Sequence, residues 1–275
     1  NHGLLLDIRA VTAAADVPAS LTLSRQPGTR FLEVAGRAPL GAPPLTDMVA
    51  VANPTLFYVA ELRATLMRHG IVVDGAPADI DEQSQRPRAA DGTTLIVDLS
   101  PPLSEIVRPM LQWSRNSYAE TLVTALDAEP PAAADDGLAV LRTTLSGLGV
   151  APEGYHVRDG SGLSRNDYLS ADTLIETLAS AWTRPGLRDP LLAALPEAGR
   201  PGTLAHRLAG TAAAGRVHAK TGSMSNVRSL AGYVRTLHDE PLAFAFICNG
   251  FDGRARDVDA QVDELLLALV DLQVR

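Results

Sequence analysis

A single cysteine, Cys248, stands in 275 residues, which excludes an internal disulfide and any cysteine-rich metal site. It leaves the compartment open, because a chain of this length can hold a core without bridges. Aromatic residues make up only 4%. No apolar run approaches the roughly 18 residues of a membrane helix, and the longest, Leu265 to Val270, lies inside an amphipathic pattern. Basic residues are outnumbered 24 to 32 by acidic ones, and the net charge of −8 argues against a nucleic-acid partner. The chain opens on Asn1 with no signal peptide after it, as expected of a chain that begins after processing, after cropping or after a further segment.

The scarcest residue is lysine. Of 24 basic residues 23 are arginine and one is lysine, Lys220. On a solvated surface the two serve equally, so a lysine that survives alone stands where arginine cannot replace it. Arginine stays protonated in proteins, whereas a lysine pKa can be tuned. That singles out Lys220.

What is present suits one large domain, or one domain and a smaller one: 46% of the residues are hydrophobic. Leu4 to Ile8, then Leu21 to Leu23 and Phe31 to Val34 around Gln26-Pro27-Gly28-Thr29, predict a β-rich start with a hairpin. Ala38 to Pro44 is rich in Pro and Gly. Pro54 to Arg68 reads as a helix stopped by Gly70, and the polar, aperiodic Gly75 to Asp91 as a linker. Beyond it the pattern predicts a strand over Thr94 to Leu99 and a helix capped by Ser100-Pro101, with Leu103, Ile106, Val107, Met110 and Leu111 on one face. A second helix follows the break at Ser114-Arg115-Asn116, burying Ala119, Leu122, Val123 and Leu126. Helices are expected at Leu138 to Ser146, Ala171 to Ala181 and Thr203 to Ala209. The chain ends on strands Leu230 to Val234 and Leu242 to Ile247, a turn at His238 to Pro241 between them, and an amphipathic helix from Val258 to Val270.

Three short stretches carry chemistry. Val217 to Ser223 is a strand that ends in lysine, hydroxyl, glycine, hydroxyl. In acyl transfer an ammonium there raises the potential around a nucleophile and helps move its proton. The hydroxyls of Thr221 and Ser223 can bond a substrate carboxylate, and Gly222 lets a substrate strand come close. A lone Lys-Thr-Gly is a weak signal; as the chain's one lysine it gains weight. Ser114 and Asn116, two residues apart at a helix break, can both face a cleft, but Ser and Asn are also the residues that cap helices. Asp159-Gly160-Ser161-Gly162-Leu163-Ser164-Arg165 makes a tight turn, which on propensity alone is a connecting loop. The six histidines have no metal-ligand spacing, nothing resembles a phosphate loop, and His218 reads as a strand residue rather than a base.

Taken in order, Ser-Xaa-Asn, Asp-Gly-Ser-Gly-Leu-Ser-Arg and Lys-Thr-Gly-Ser followed by Ser-Leu-Ala-Gly-Tyr-Val resemble the class C low-molecular-mass penicillin-binding proteins. These are the D-alanyl-D-alanine carboxypeptidases/endopeptidases of peptidase family S13. Ser100 to Val107 and Gly199 to Leu204 are similar to that family as well. The resemblance implies an α/β (α+β) serine transpeptidase/β-lactamase-like domain, an antiparallel sheet flanked by helices, in residues 91–275. Residues 1–90 would be the end of a β-rich insert domain. It implies Ser114, Asn116 and Lys220 as catalytic residues, with Ser114 relaying a proton. Thr221, Gly222 and Ser223 would hold the substrate, the Ser223 N–H forming half of an oxyanion hole. Ser161, Leu163, Arg165 and Met224 would line the cleft. The implied partners are peptidoglycan stem peptides and β-lactams, in a periplasmic or secreted setting, with no cofactor and no nucleic acid.

One departure is large. The family's Ser-Xaa-Xaa-Lys motif cannot exist here, because the one lysine is Lys220 and Val217 stands three before it. The nucleophile is therefore expected on an upstream segment of the same protein. A truncated, non-catalytic peptidoglycan-binding homologue and a β-lactamase-like hydrolase are the alternatives.

Overall fold

The computed structural model describes residues 5–26, 29, 31–44, 46–47, 49–84, 93–94, 96–127 and 134–273. The chain divides into two units, Asn1–Val97 and Asp98–Arg275.

In the first unit β1 (Leu5–Ala13) runs parallel to β3 (Phe31–Pro39), and β2 (Thr22–Ser24) lies antiparallel on β3's other side. The expected hairpin strands form; Pro27 and Gly28 of its turn, like Leu4, lie outside the described residues. Helix α1 (Pro54–Arg68) matches the pattern. The Asn53 Oδ1 accepts the Leu56 N–H at 2.8 Å, and Pro54 opens the first turn. At the far end the Gly70 N–H bonds Met67 O and the Ile71 N–H bonds Leu66 O, a closure that needs the left-handed φ of 80° at Gly70. The supposed linker is partly built structure. Ile80–Glu82 form a 3-10 turn whose Asp81 N–H is capped by Asp79, and Asn53 Nδ2 donates to Asp79 at 2.8 Å. Residues 85–91 of that linker lie outside the described ones.

Among the described residues of Thr94 to Leu99 the expected strand is not seen. Its described residues are irregular, with Ile96, Val97 and Leu99 exposed by 86%, 72% and 85%. The residues have the apolar content of a strand, but a strand exists only against a neighbour that takes its backbone bonds. Helix α2 (Leu103–Gln112) starts later than predicted: Pro102 is its N-cap, no side chain caps it, and Ser100 lies outside it. Helix α3 (Asn116–Ala125) and α4 (Ala134–Gly147) follow. The two-residue strands β4 (Tyr155–His156) and β5 (Tyr168–Leu169) then pair across the 157–167 loop. Helix α5 (Ala171–Trp182) is capped by Ser170, whose Oγ accepts the Thr173 N–H.

Helix α6 (Pro185–Ala194) escaped the sequence pattern because Gly186 and Pro190 interrupt it. The opposite error falls at Thr203 to Ala209, predicted helical and found as turns. Leu208 sits at φ 56°, which ends any helix there, and the Thr203 N–H is taken by Gln112 O rather than by its own turn.

Strands β6 (Val217–Met224), β7 (Val227–Arg235) and β8 (Pro241–Asn249) form an antiparallel sheet in that order. Side chains alternate across it. Val217, Ala219, Leu230, Val234 and Phe244 join Leu266 and Val270 of α7 (Ala255–Asp271) in the main core. Each such large side chain contributes about 1.5–3 kcal/mol by leaving water. Tyr233 faces the other way, its hydroxyl donating to Leu178 O of α5 at 2.7 Å and its ring 5.0 Å from Trp182. Lys220, an even number of residues from His218 and paired with Ala231, shares that second face.

Candidate active site

Lys220 and Ser114 meet. The Lys220 Nζ donates to the Ser114 Oγ at 2.8 Å and to the carbonyl of its neighbour Thr221 at 2.6 Å. Small residues make room: Lys220 pairs with Ala231, and Ala231 with Ala245. Burial lowers the Lys220 pKa from its ordinary 10.5, since an ammonium loses hydration there. His218, further up β6, also has a lowered pKa, again chiefly from burial, and among the described residues its buried Nδ1 has no hydrogen-bond partner. It stands within β6, the strand position read from the sequence.

The Ser114-Arg115-Asn116 break is not a capping device. The N-cap position of α3 falls on Arg115 and no side chain caps it. Ser114 takes φ 52°, a left-handed conformation that costs a non-glycine residue on the order of 1 kcal/mol or more. The Arg115 N–H returns to Met110 O, so the chain doubles back between α2 and α3. The strained turn aims the hydroxyl at Lys220. Asn116 opens α3 with an exposed side chain.

Beyond Lys220, β6 is an edge strand. The Ala219 N–H and Val217 C=O bond Pro196 and Ala198, so alternation turns the backbone groups of Thr221 and Ser223 to that same outer edge. Edge N–H and C=O groups there can receive an extended peptide. Gly222 and the exposed Ser223 continue the strand, and Met224 closes it against Val227 in a two-residue turn.

The Thr221 hydroxyl donates to Thr203 Oγ1 at 3.1 Å, a partner that sequence reasoning did not single out. Thr203 is held in turn by its N–H to Gln112 O at 3.0 Å, and Gly202, at φ 142°, lies so close to Gln112 O that a Cβ would stand 3.2 Å from it. The Gly199 to Leu204 stretch is thus a brace between α2 and β6. In the sequence this stretch stood out only through its resemblance to the S13 family, with no role attached to Thr203.

The Asp159 to Arg165 loop is ordered by carboxylates. Asp159 accepts from the Gly162 and Ser164 N–H groups at 2.6 and 2.7 Å, and Asp167 from the Arg158 N–H at 2.7 Å. Burial raises the Asp167 pKa, opposed by that Arg158 bond. Glu120 of α3 accepts from both the Gly160 and Ser161 N–H groups at 3.0 Å. Among the described residues no hydrogen bond ties Ser161, Leu163, Arg165 or Met224 to Lys220 or Ser114; the loop joins the pair through α3. No group of three or more metal-ligating side chains exists among the described residues.

These residues match a known family. Residues 1–269 match the D-Ala-D-Ala carboxypeptidase 3 (S13) family. The chain belongs to it. A D-alanyl-D-alanine carboxypeptidase of an Actinomadura species is 38% identical over 263 residues, 91% of this chain and 47% of that protein. Carboxypeptidase DacB of Mycolicibacterium smegmatis is 39% identical over 167 residues, 58% of this chain and 36% of that protein. The chain spans about half the length, or less, of these curated relatives. Penicillin binding protein 4 of Haemophilus influenzae has the same fold, with a TM-score of 0.76 over 99% of this chain and 62% of that one at 23% identity. The fold class expected from the resemblance, an α/β serine transpeptidase-like architecture, is the one observed.

Proposed function

We propose that this chain is the C-terminal part of a serine-type D-Ala-D-Ala carboxypeptidase/endopeptidase, whose serine nucleophile lies on a segment outside this sequence. Residues 91–275 form its part of the catalytic domain and residues 1–90 part of a β-rich insert. The observation that carries the reading is the 2.8 Å bond from the lone lysine to Ser114, two motif residues 106 positions apart.

In this reading the absent serine attacks the penultimate D-Ala carbonyl, and the peptide C–N bond breaks as the terminal D-Ala leaves. The proton that the attacking serine hydroxyl gives up is relayed through Ser114 and Lys220 to the departing amine, and the lowered Lys220 pKa suits the exchange. Asn116 holds the peptide amide. Thr221 and Ser223 bind the terminal carboxylate, and the Ser223 N–H stabilises the oxyanion. Ser161, Leu163, Arg165 and Met224 line the cleft. Water then hydrolyses the acyl-enzyme. Stem peptides of peptidoglycan are the substrates, β-lactams acylate the same serine, and the setting is periplasmic or secreted.

The test is labelled penicillin on two proteins, the 275-residue chain alone and the protein that includes the serine-bearing segment. Label is expected on the second and not on the first. Covalent label on the isolated chain, for example at Ser114, overturns the assignment of the nucleophile elsewhere. No label on either leaves the non-catalytic peptidoglycan-binding alternative.

A further inference from the structure

The Asp159 to Arg165 loop has no hydrogen bond of its own to the Lys220 and Ser114 pair, so something else must fix its distance from them. That element is Glu120. It lies four residues after Asn116 on α3, one turn or about 6 Å along the axis. Its two carboxylate oxygens take one N–H each from consecutive residues, Gly160 and Ser161, both at 3.0 Å. The contact is tight as well as polar. A Cβ at Gly160 would stand 2.6 Å from Ala119 O and 2.7 Å from Val123 Cγ2, so the loop backbone is pressed on the helix. One rigid helix therefore carries the Ser114 to Asn116 break at its start and grips the loop one turn later. Leu163, 52% exposed, and Arg165, also exposed, project from the gripped turn.

We infer that Glu120 is a positioning residue that sets the register of the loop against the catalytic pair, and so decides how strongly the residue ahead of D-Ala-D-Ala is selected. This rests on the reading of Ser161, Leu163 and Arg165 as part of the substrate cleft. Glu120 touches no substrate; it acts through the loop backbone. An amide side chain there keeps the volume and one acceptor but sets an NH2 against the second N–H. A hydrogen bond to a charged group would be lost and a backbone donor left opposed.

The experiment uses the protein with its serine-bearing segment, as wild type, Glu120→Gln, Glu120→Ala and Arg165→Ala. Two probes are compared by kcat and KM. One is a D-Ala-D-Ala peptide with a long side chain on the preceding residue, the other the same peptide with glycine there. Amide hydrogen exchange at Gly160 and Ser161 is followed in parallel. For Glu120→Gln the exchange should quicken and the preference for the long side chain should fall about tenfold, mostly through KM, with the glycine peptide changed less than about threefold. Glu120→Ala should do the same more strongly, and if it fails to fold Glu120→Gln carries the test. Faster exchange with unchanged preference overturns the inference, as does an equal loss of kcat on both peptides, which would mark damage to α3 itself. Arg165→Ala separates the two claims. If it keeps the full preference, the cleft reading of the loop is wrong; if it loses the preference while Glu120→Gln does not, only the inference about Glu120 falls.

Discussion

Lys220 reaches Ser114 across 106 residues of sequence, its Nζ donating to the serine Oγ at 2.8 Å while Ser114 holds a left-handed φ of 52°. A strained serine aimed at a half-buried ammonium costs stability, and it is the pairing on which the proposed proton relay rests.

Lys220→Arg keeps the charge but replaces a compact ammonium, able to give up a proton, with a guanidinium that does not. The planar guanidinium also cannot reproduce the single-point contact that the ammonium makes to the Ser114 Oγ at 2.8 Å. We expect acylation by penicillin, in the protein with its nucleophile, to fall at least about 10²-fold, the low end for loss of a proton-transfer group. A rate near wild type would reduce Lys220 to a diffuse positive field.

Much of this pair was legible beforehand, and the reason is compositional. In a chain that uses arginine for 23 of its 24 basic residues, the remaining lysine draws attention to itself, and the structure sets it against Ser114. Helices α4, α5 and α7 and strands β7 and β8 were legible from their periodicity, because each buries residues on one face, while α1, which has none buried, was legible from its Asn53-Pro54 start and Gly70 stop. What the pattern could not supply was tertiary. The Thr94 to Leu99 strand failed for want of a neighbouring strand, and the helix at Thr203 gave way to a brace whose donor bonds Gln112 on another element. Glu120 has no local signature at all, since its partners are backbone N–H groups 40 residues away.

The pH behaviour of Lys220 follows from its burial. Its folded pKa lies below the ordinary 10.5. Between those two values the unfolded chain holds more protons, so unfolding free energy rises with pH across that window. The cost of burying the ammonium is complete below the folded pKa and relieved as pH climbs toward 10.5. With 13Cε-labelled lysine, the signal that disappears in Lys220→Arg should titrate with a midpoint below 10.5. A midpoint at or above that value contradicts the burial argument.

Thr203→Val tests the brace. Valine keeps the shape of threonine and the backbone bond to Gln112, but leaves the Thr221 hydroxyl without its 3.1 Å partner. Thr221 would then turn freely and hold a carboxylate less well. We expect KM for a D-Ala-D-Ala peptide to rise about 3- to 10-fold, the worth of one hydrogen bond, with Tm shifted by no more than a few degrees. Thr203→Ser, which restores the hydroxyl, should recover most of the loss. An unchanged KM in the valine variant would mean that the threonine pair is packing alone.

Ile96, Val97, Leu99 and Leu103 follow one another closely and are exposed by 86%, 72%, 85% and 61%. Such an apolar run is not what a finished surface presents. Among the described residues the sheet also ends at β8, whose outer edge has no strand against it. Each large apolar side chain left wet forfeits about 1.5–3 kcal/mol, so four of them are comparable with a typical domain stability of about 5–15 kcal/mol. We therefore expect residues 1–275, expressed alone, to bind an exposed-hydrophobe dye and to unfold in urea over a broad, weakly cooperative range. Adding the serine-bearing segment should abolish the dye signal and sharpen the transition. If the isolated chain instead unfolds in one cooperative step and binds no dye, it is an autonomous domain. The reading as a naturally truncated binding protein would then gain over the reading as part of an enzyme.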